Sequence, residues 1–190
     1  MLLFIHGFGS SGHGSKAEQL RSFCAEQDIA FAAPSLPDIP VLALDTLEEL
    51  LVVLLRHEPV TLIGSSLGGY YATWLAHRFK LPYVLINPAV EPYITLHRAV
   101  GRAVHFHDQT AYEWTAAHTE SLRAYCVEQP VTERCLLMLQ TGDELLDYRQ
   151  ALAAYPGAEL ILEEGGNHGF EGFERHLTYI QQWHQQHQPG

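Results

Sequence analysis

Gly64-Ser65-Ser66-Leu67-Gly68 places a serine midway between two residues that have no side chain. The apolar run 60–63 before it reads as a strand, and 67–79 after it reads as a helix. A serine at the tip of such a strand-to-helix turn sits in strained backbone, and flanking glycines let the two arms pass closely. Its hydroxyl then stands clear of the sheet edge. The first N–H groups of the following helix face any negative charge that develops beside it. One turn thus offers both a nucleophile, Ser66, and part of an anion stabiliser. A plain glycine-rich turn would satisfy the pentapeptide equally well, so the rest of the chain has to supply a base and an acid.

A serine hydroxyl attacks only when a base takes its proton, and an imidazole base needs a carboxylate to fix its tautomer. In this strand-turn-helix class the chain order is serine, acid, histidine. The apolar run 135–140 ends in Thr141-Gly142-Asp143-Glu144, which places Asp143 on a loop at a strand's carboxyl end. Glu144 and Asp147 lie close by. Asp143 is preferred because it comes first after the strand, while Asp147 is placed to cap a helix starting near Tyr148. The run 158–162 is followed by a glycine-rich loop carrying His168, just before the last helical pattern. At the other end of the chain, an opening strand runs straight into His6-Gly7-Phe8-Gly9. A loop there supplies the second oxyanion donor in acyl-transfer sites of this kind, so the backbone N–H groups of Phe8 and Leu67 are the expected pair. His6, just before that loop, reads as a brace and not as a base.

These residues have to be delivered to one place. Short branched-residue strands alternate with longer helical patterns along the chain, which predicts an α/β fold with a parallel sheet covered on both faces. Six strands are expected, near 2–6, 29–33, 60–63, 83–86, 135–140 and 158–162. Helices are expected at 15–27, 42–56, 67–79, 148–154 and 170–186. All the chemistry-bearing loops then leave the carboxyl edge of the sheet, where open α/β sheets bind ligands. The segment 91–130 breaks the rhythm and is expected as an insertion forming a small lid of two helices, 91–100 and 110–127. No repeat or linker divides the chain, so residues 1–190 are expected to form a single domain.

With these residues in place, the chain resembles the α/β-hydrolases, and among them the small bacterial YqiA-like esterases. The resemblance is carried by 6–11 with Ser15-Lys16, by 34–37, 64–75 and Asn87-Pro88-Ala89-Val90, by 140–144 with 146–150, and by 164–168. It runs from end to end of the chain but lapses between about Gly101 and Arg134, and it departs at Gly9, Gly12, Gly14 and Gly169. It implies Ser66, Asp143 and His168 as a catalytic triad, and hydrolysis of carboxylic esters or acyl thioesters through an acyl-serine. Because the first strand leads directly into His6-Gly7, the sheet is expected to be a truncated version of that fold. Two alternatives use the same architecture: an acyltransferase with the same triad, and a non-catalytic ligand-binding module.

Composition narrows the partners. At 190 residues and 47% hydrophobic the chain can bury a sizeable core. Eleven basic against 22 acidic residues give a net charge of −11, which argues against nucleic acid and anionic membrane surfaces. The expected partner is a small-molecule acyl ester or thioester. No cofactor and no metal are called for. The pairs His105-x-His107 and His184-x-x-His187 have metal-like spacing but lack a third ligand in register. Cys24, Cys126 and Cys135 form an odd set without ligand spacing and read as reduced packing residues of a cytoplasmic protein. The opening residues 1–5 have no basic stretch, and the apolar run stops at His6, unlike a secretory signal. The last residues, 185–190, are expected to fray.

Overall fold

The computed structural model describes residues 1–106 and 108–187; His107, one half of the first histidine pair, and residues 188–190 of the expected tail lie outside it. In chain order the elements are β1 (Leu2–Ile5), α1 (Ser15–Glu26), β2 (Phe31–Ala32), α2 (Pro40–Leu54), β3 (Thr61–Ser65), α3 (Leu67–Phe79) and β4 (Tyr83–Ile86). They continue with α4 (Pro92–Thr95), β5 (Gly101–Val104), β6 (Ala111–Trp114), α5 (Ala116–Ser121), β7 (Cys135–Gln140), α6 (Tyr148–Ala154), β8 (Glu159–Glu163) and α7 (Leu177–Gln186).

Six strands form one parallel sheet in the order β2-β1-β3-β4-β7-β8. The chain starts in the middle, steps outward to β2, and then returns across β1 to build the other side strand by strand. The order therefore reverses between β1 and β3, the place where the loops diverge and leave a crevice. The loop after β1 and the turn after β3 face each other across it.

Strand residues alternate between two apolar layers, as the period of two requires. Leu3, Ile5, Leu62, Leu85, Leu137 and Leu139 face the layer built with α2, α3 and α6. Leu2, Phe4, Ile63, Val84, Ile86, Leu136 and Met138 face the layer built with α1 and α7. Burial on both sides is why these strands read as continuous apolar runs. Tyr70 and Tyr71 on α3 are both 4% exposed within the first layer. Pro40 opens α2 two residues earlier than the periodicity suggests, in keeping with proline's fitness for the first helical turn.

The segment between β4 and β7 departs most from expectation. Helical turns are present at 92–99 and again at 116–125, but between them the chain forms an antiparallel hairpin, β5 with β6. Trp114 at its end is 1% exposed and donates its indole N–H to Thr119 Oγ1 at 2.7 Å. The last helix is also shorter than expected. Phe170 and Gly172 adopt positive φ, so only the short turn Phe173–His176 precedes α7.

Candidate active site

Ser66 lies between β3 and α3 with φ 55° and ψ −122°, a conformation that L-residues rarely adopt and that costs of order 1–3 kcal/mol. The crossing of the two arms needs both glycines. A Cβ on Gly64 would come 2.3 Å from the Gly68 carbonyl oxygen, and one on Gly68 would come 2.0 Å from the Ile5 carbonyl oxygen. Ser66 is held further by its N–H, which donates to the Ile86 carbonyl at 3.1 Å.

The structure brings the three expected side chains together from three separate loops. His168 Nε2 lies 3.0 Å from Ser66 Oγ, and His168 Nδ1 lies 2.8 Å from Asp143 Oδ2. Because a carboxylate can only accept, Nδ1 carries a proton, and in the neutral ring Nε2 then has its lone pair facing the hydroxyl. Asp143 is almost sealed, its side chain 2% exposed. Burial alone would raise its carboxyl pKa, but hydrogen bonds from His168 and from the Leu146 and Leu145 N–H groups outweigh that and hold it below its ordinary 3.8. The same oxygen, Oδ1, accepts both backbone bonds at 2.9 Å, which fixes the carboxylate plane.

The two rival acids have other tasks. Glu144 accepts the His168 backbone N–H at 2.9 Å, and Asp147 caps α6 by accepting from Arg149 N–H at 3.0 Å. His6 is a brace, as its position suggested: its Nδ1 donates to the Gly7 carbonyl at 2.9 Å, and its Nε2 accepts the Leu36 N–H at 2.9 Å. Burial holds its pKa below the ordinary 6.5 and keeps the ring neutral, as the Nε2 acceptor role needs. Gly7 backs directly onto Ser66, so that a Cβ at this position would meet Ser66 Cβ at 3.0 Å. Phe8 and Leu67 both line the cavity beside the hydroxyl. Neither N–H donates to a backbone carbonyl in the turns and loops of the described residues.

Two residues that sequence reasoning left without a role hold the His168 loop in place. The loops of β7 and β8 have to reach back over β4 to meet β3, about 14 Å across three strand spacings. Asn87 at the end of β4 bridges that gap. Its amide donates to the carbonyls of Asn167 (3.0 Å) and His168 (3.2 Å), while its oxygen accepts the Gln140 N–H at 3.0 Å. Gln140, at the end of β7, accepts the Asn167 and Glu171 N–H groups at 3.0 and 2.8 Å and donates to Glu163 and the Glu171 carbonyl. Both are 2% exposed. The available signal was an amide residue closing an otherwise apolar strand, which only a buried polar task accounts for.

The hydroxyl opens into a cavity of about 360 Å³, whose walls include Leu67, Ala89, Pro92, Leu96 and Phe106. The hairpin is pinned to the loop after β1. Phe106 N–H donates to the Gly9 carbonyl at 2.8 Å, and the Phe8 ring meets Trp114 edge-on at 4.9 Å between centroids. His105 Nε2 lies 3.2 Å from Asp38 Oδ2. Among the described residues no group of three or more His, Cys, Asp or Glu side chains could hold a metal. His184 and His187 turn to different partners, Thr61 and Trp183. Of the cysteines, Cys24 and Cys135 are buried packing residues, but Cys126 is exposed, contrary to expectation, because it follows the last turn of the inserted segment.

A parallel sheet in this order, with a strained serine after β3 and an acid and histidine after β7 and β8, defines the α/β-hydrolase fold. The esterase domain of a Rhodothermus marinus protein superposes with a TM-score of 0.73 at 18% identity, covering 97% of this chain and 86% of that one. Mouse alpha/beta hydrolase domain-containing protein 10 superposes with a TM-score of 0.74 at 18% identity, covering 97% and 89%. Residues 1–185 match the family described as "Uncharacterised protein family (UPF0227)", and the chain belongs to it. A relative, the UPF0227 protein YcfP of Salmonella paratyphi B, is 26% identical over 185 residues, 95% of this chain and 96% of that protein. Among the described residues no helix is long and apolar enough to cross a membrane.

Proposed function

We propose that this protein is a serine esterase or thioesterase. The observation that carries the reading is the continuous hydrogen-bond chain from Ser66 through His168 to Asp143, with links of 3.0 and 2.8 Å, built on a serine in strained backbone beside an open cavity. Ser66 Oγ attacks the acyl carbon as His168 Nε2 takes its proton. The oxyanion is held by the N–H groups of Phe8 and Leu67, each worth about 3 kcal/mol in the transition state. His168, now an imidazolium steadied by Asp143, gives the proton to the departing alcohol or thiol. Water then enters, His168 takes one of its protons, and the acyl-serine is cleaved to the free acid and Ser66.

In this reading the chain is one domain, and the segment 91–130 acts as the lid over the acyl group, with Pro92, Leu96 and Phe106 supplying apolar wall. The three free thiols suit a reducing, cytoplasmic setting. The fold shared with an esterase domain is consistent with the chemistry.

The test is hydrolysis of p-nitrophenyl esters of graded chain length alongside an acyl thioester. Ser66→Ala is expected to lower kcat by about 10⁴-fold or more, and Asp143→Asn by about 10⁴-fold. A Ser66→Ala protein that keeps its rate would remove the reading, and wild-type protein that turns over none of these substrates would revive the ligand-binding module. Transfer of the acyl group to an added alcohol in preference to water would move the assignment to acyltransferase.

A further inference from the structure

The charged side chains that line the cavity at Ser66 are opposite in sign to the net charge of the chain. The chain carries 22 carboxylates and 11 Lys or Arg residues, yet among the described residues no carboxylate lines the cavity, while Lys16 and Arg98 both do. Asp143, the carboxylate nearest the chemistry, is shut away behind His168 with 2% of its side chain exposed. In a protein of net charge −11, an acid-free cleft with two cations focuses a local positive field.

Both cations are anchored by neutral groups, and both on the same side. Lys16 Nζ donates to the Gly169 carbonyl at 2.7 Å, and Arg98 Nη2 reaches the Leu145 carbonyl at 3.4 Å. Gly169 follows the base His168, and Leu145 lies two residues beyond the acid Asp143. Neither cation forms a salt bridge with a carboxylate among the described residues, a state they share with Arg56, Lys80, Arg102 and Arg134 but, unlike those four, hold in the lining of the cavity. Carbonyl oxygens orient a cation without neutralising it, so each keeps its charge and donor capacity for another group.

The mechanism says which part of a substrate lies there. His168 hands its proton to the leaving group, so the alcohol or thiol has to sit on the His168 side of Ser66. The acyl chain is left to the apolar wall formed by Ala89, Pro92 and Leu96. We infer that the substrate is an ester or thioester whose leaving alcohol or thiol bears an anionic group, a carboxylate or a phosphate, held between Lys16 and Arg98.

This rests on the hydrolytic reading above and deepens it. Such an anion also answers an electrostatic problem. A bare ammonium near the imidazolium that forms during acylation opposes it, and a substrate anion beside Lys16 cancels that opposition. The position of Lys16 agrees: burial lowers its pKa to about 8 against the opposing pull of Asp143, so a bound anion would gain by keeping it charged.

The experiment compares butyryl esters that share an acyl group and differ in the leaving phenol: 4-carboxyphenol, 4-hydroxyphenyl phosphate and the neutral 4-hydroxybenzamide. A fourth ester, phenyl hemisuccinate, carries its charge on the acyl side. Wild-type kcat/KM is expected to be about tenfold or more higher for an anionic than for the neutral leaving group, as a charge-assisted hydrogen bond would supply. The larger of the carboxylate and phosphate ratios identifies the group. Lys16→Met and Arg98→Gln should each reduce that ratio, with Lys16→Arg restoring much of it, and added salt should erode it. Arg98 is exposed, so its replacement leaves the core untouched.

Equal turnover of charged and neutral leaving groups would overturn the inference while leaving Ser66 chemistry intact. So would a preference confined to phenyl hemisuccinate, or variants that lower every rate alike without moving the ratio. Failure to turn over any ester would instead overturn the hydrolytic reading, and this inference with it.

Discussion

Asn87 and Gln140 touch no reacting atom, yet between them they hold both backbone sides of the loop that carries His168. Each is buried, so removing either amide leaves unpaired carbonyl and N–H groups, at a cost of about 1–3 kcal/mol. Asn87→Ala and Gln140→Leu are therefore expected to lower thermal stability and to reduce kcat by about 10- to 100-fold with little change in KM. Kinetics and melting curves on the same preparations check both effects; full kcat at reduced stability would limit these residues to a structural part. Ser66, Asp143 and His168 were legible in the sequence because each sits at a marked place, the end of an apolar strand followed by glycines. Asn87 and Gln140 sit at equally marked places, but an amide has no chemistry of its own to announce. Its task appears only when the β4 and β7 ends are seen under a loop from β8.

At the scale of elements, the parallel sheet could be read ahead of time because strands buried on both faces spell themselves as apolar runs. The inserted segment could not. Its hairpin strands have alternating burial and only four residues each, too short for a period of two to stand out from a helical pattern. What holds the hairpin is tertiary: Trp114 is locked against Phe8 and Thr119, and Phe106 N–H is bound to the Gly9 carbonyl. The same contacts tie the inserted segment to the loop that carries the Phe8 N–H. Trp114→Ala is expected to cost about 3–5 kcal/mol of stability, the usual toll for emptying a large aromatic site. In the proposed mechanism it should also lower kcat by loosening Phe8. Urea unfolding and ester kinetics below the unfolding transition separate the two. An unchanged kcat in folded variant would show that the loop carrying Phe8 stands without its cover.

For the whole molecule, acid stability follows from a buried base. His184 on α7 lies against Thr61 of β3, with Nδ1 and Oγ1 2.7 Å apart. Burial, helped by the N-terminal charge and opposed by Glu58, lowers its pKa from 6.5 to about 4. Between those values the unfolded chain binds a proton that the folded one refuses, so stability is full above about 6.5, falls as pH drops, and this contribution levels off below about 4. Asp143 titrates lower still, since its folded pKa is depressed below 3.8, so its contribution is lost in a separate, more acidic window. Urea midpoints measured from pH 7.5 to 4.5 should decline, and His184→Phe should flatten that decline. A wild-type midpoint that holds steady over the range would contradict the burial argument. The −11 charge, legible from composition, spoke to the surface alone; the acid-free cleft emerged only once the fold had gathered its lining from distant stretches of the chain.

The proposed chemistry stands on the reactivity of one hydroxyl, and covalent labelling addresses that directly. Treated with a fluorophosphonate, the folded protein is expected to gain one adduct, mapped by peptide mass to Ser66, with labelling lost in His168→Ala and blocked by prior incubation with a good ester substrate. Folded protein that stays unlabelled, or that carries its adduct on a serine other than Ser66, would contradict it.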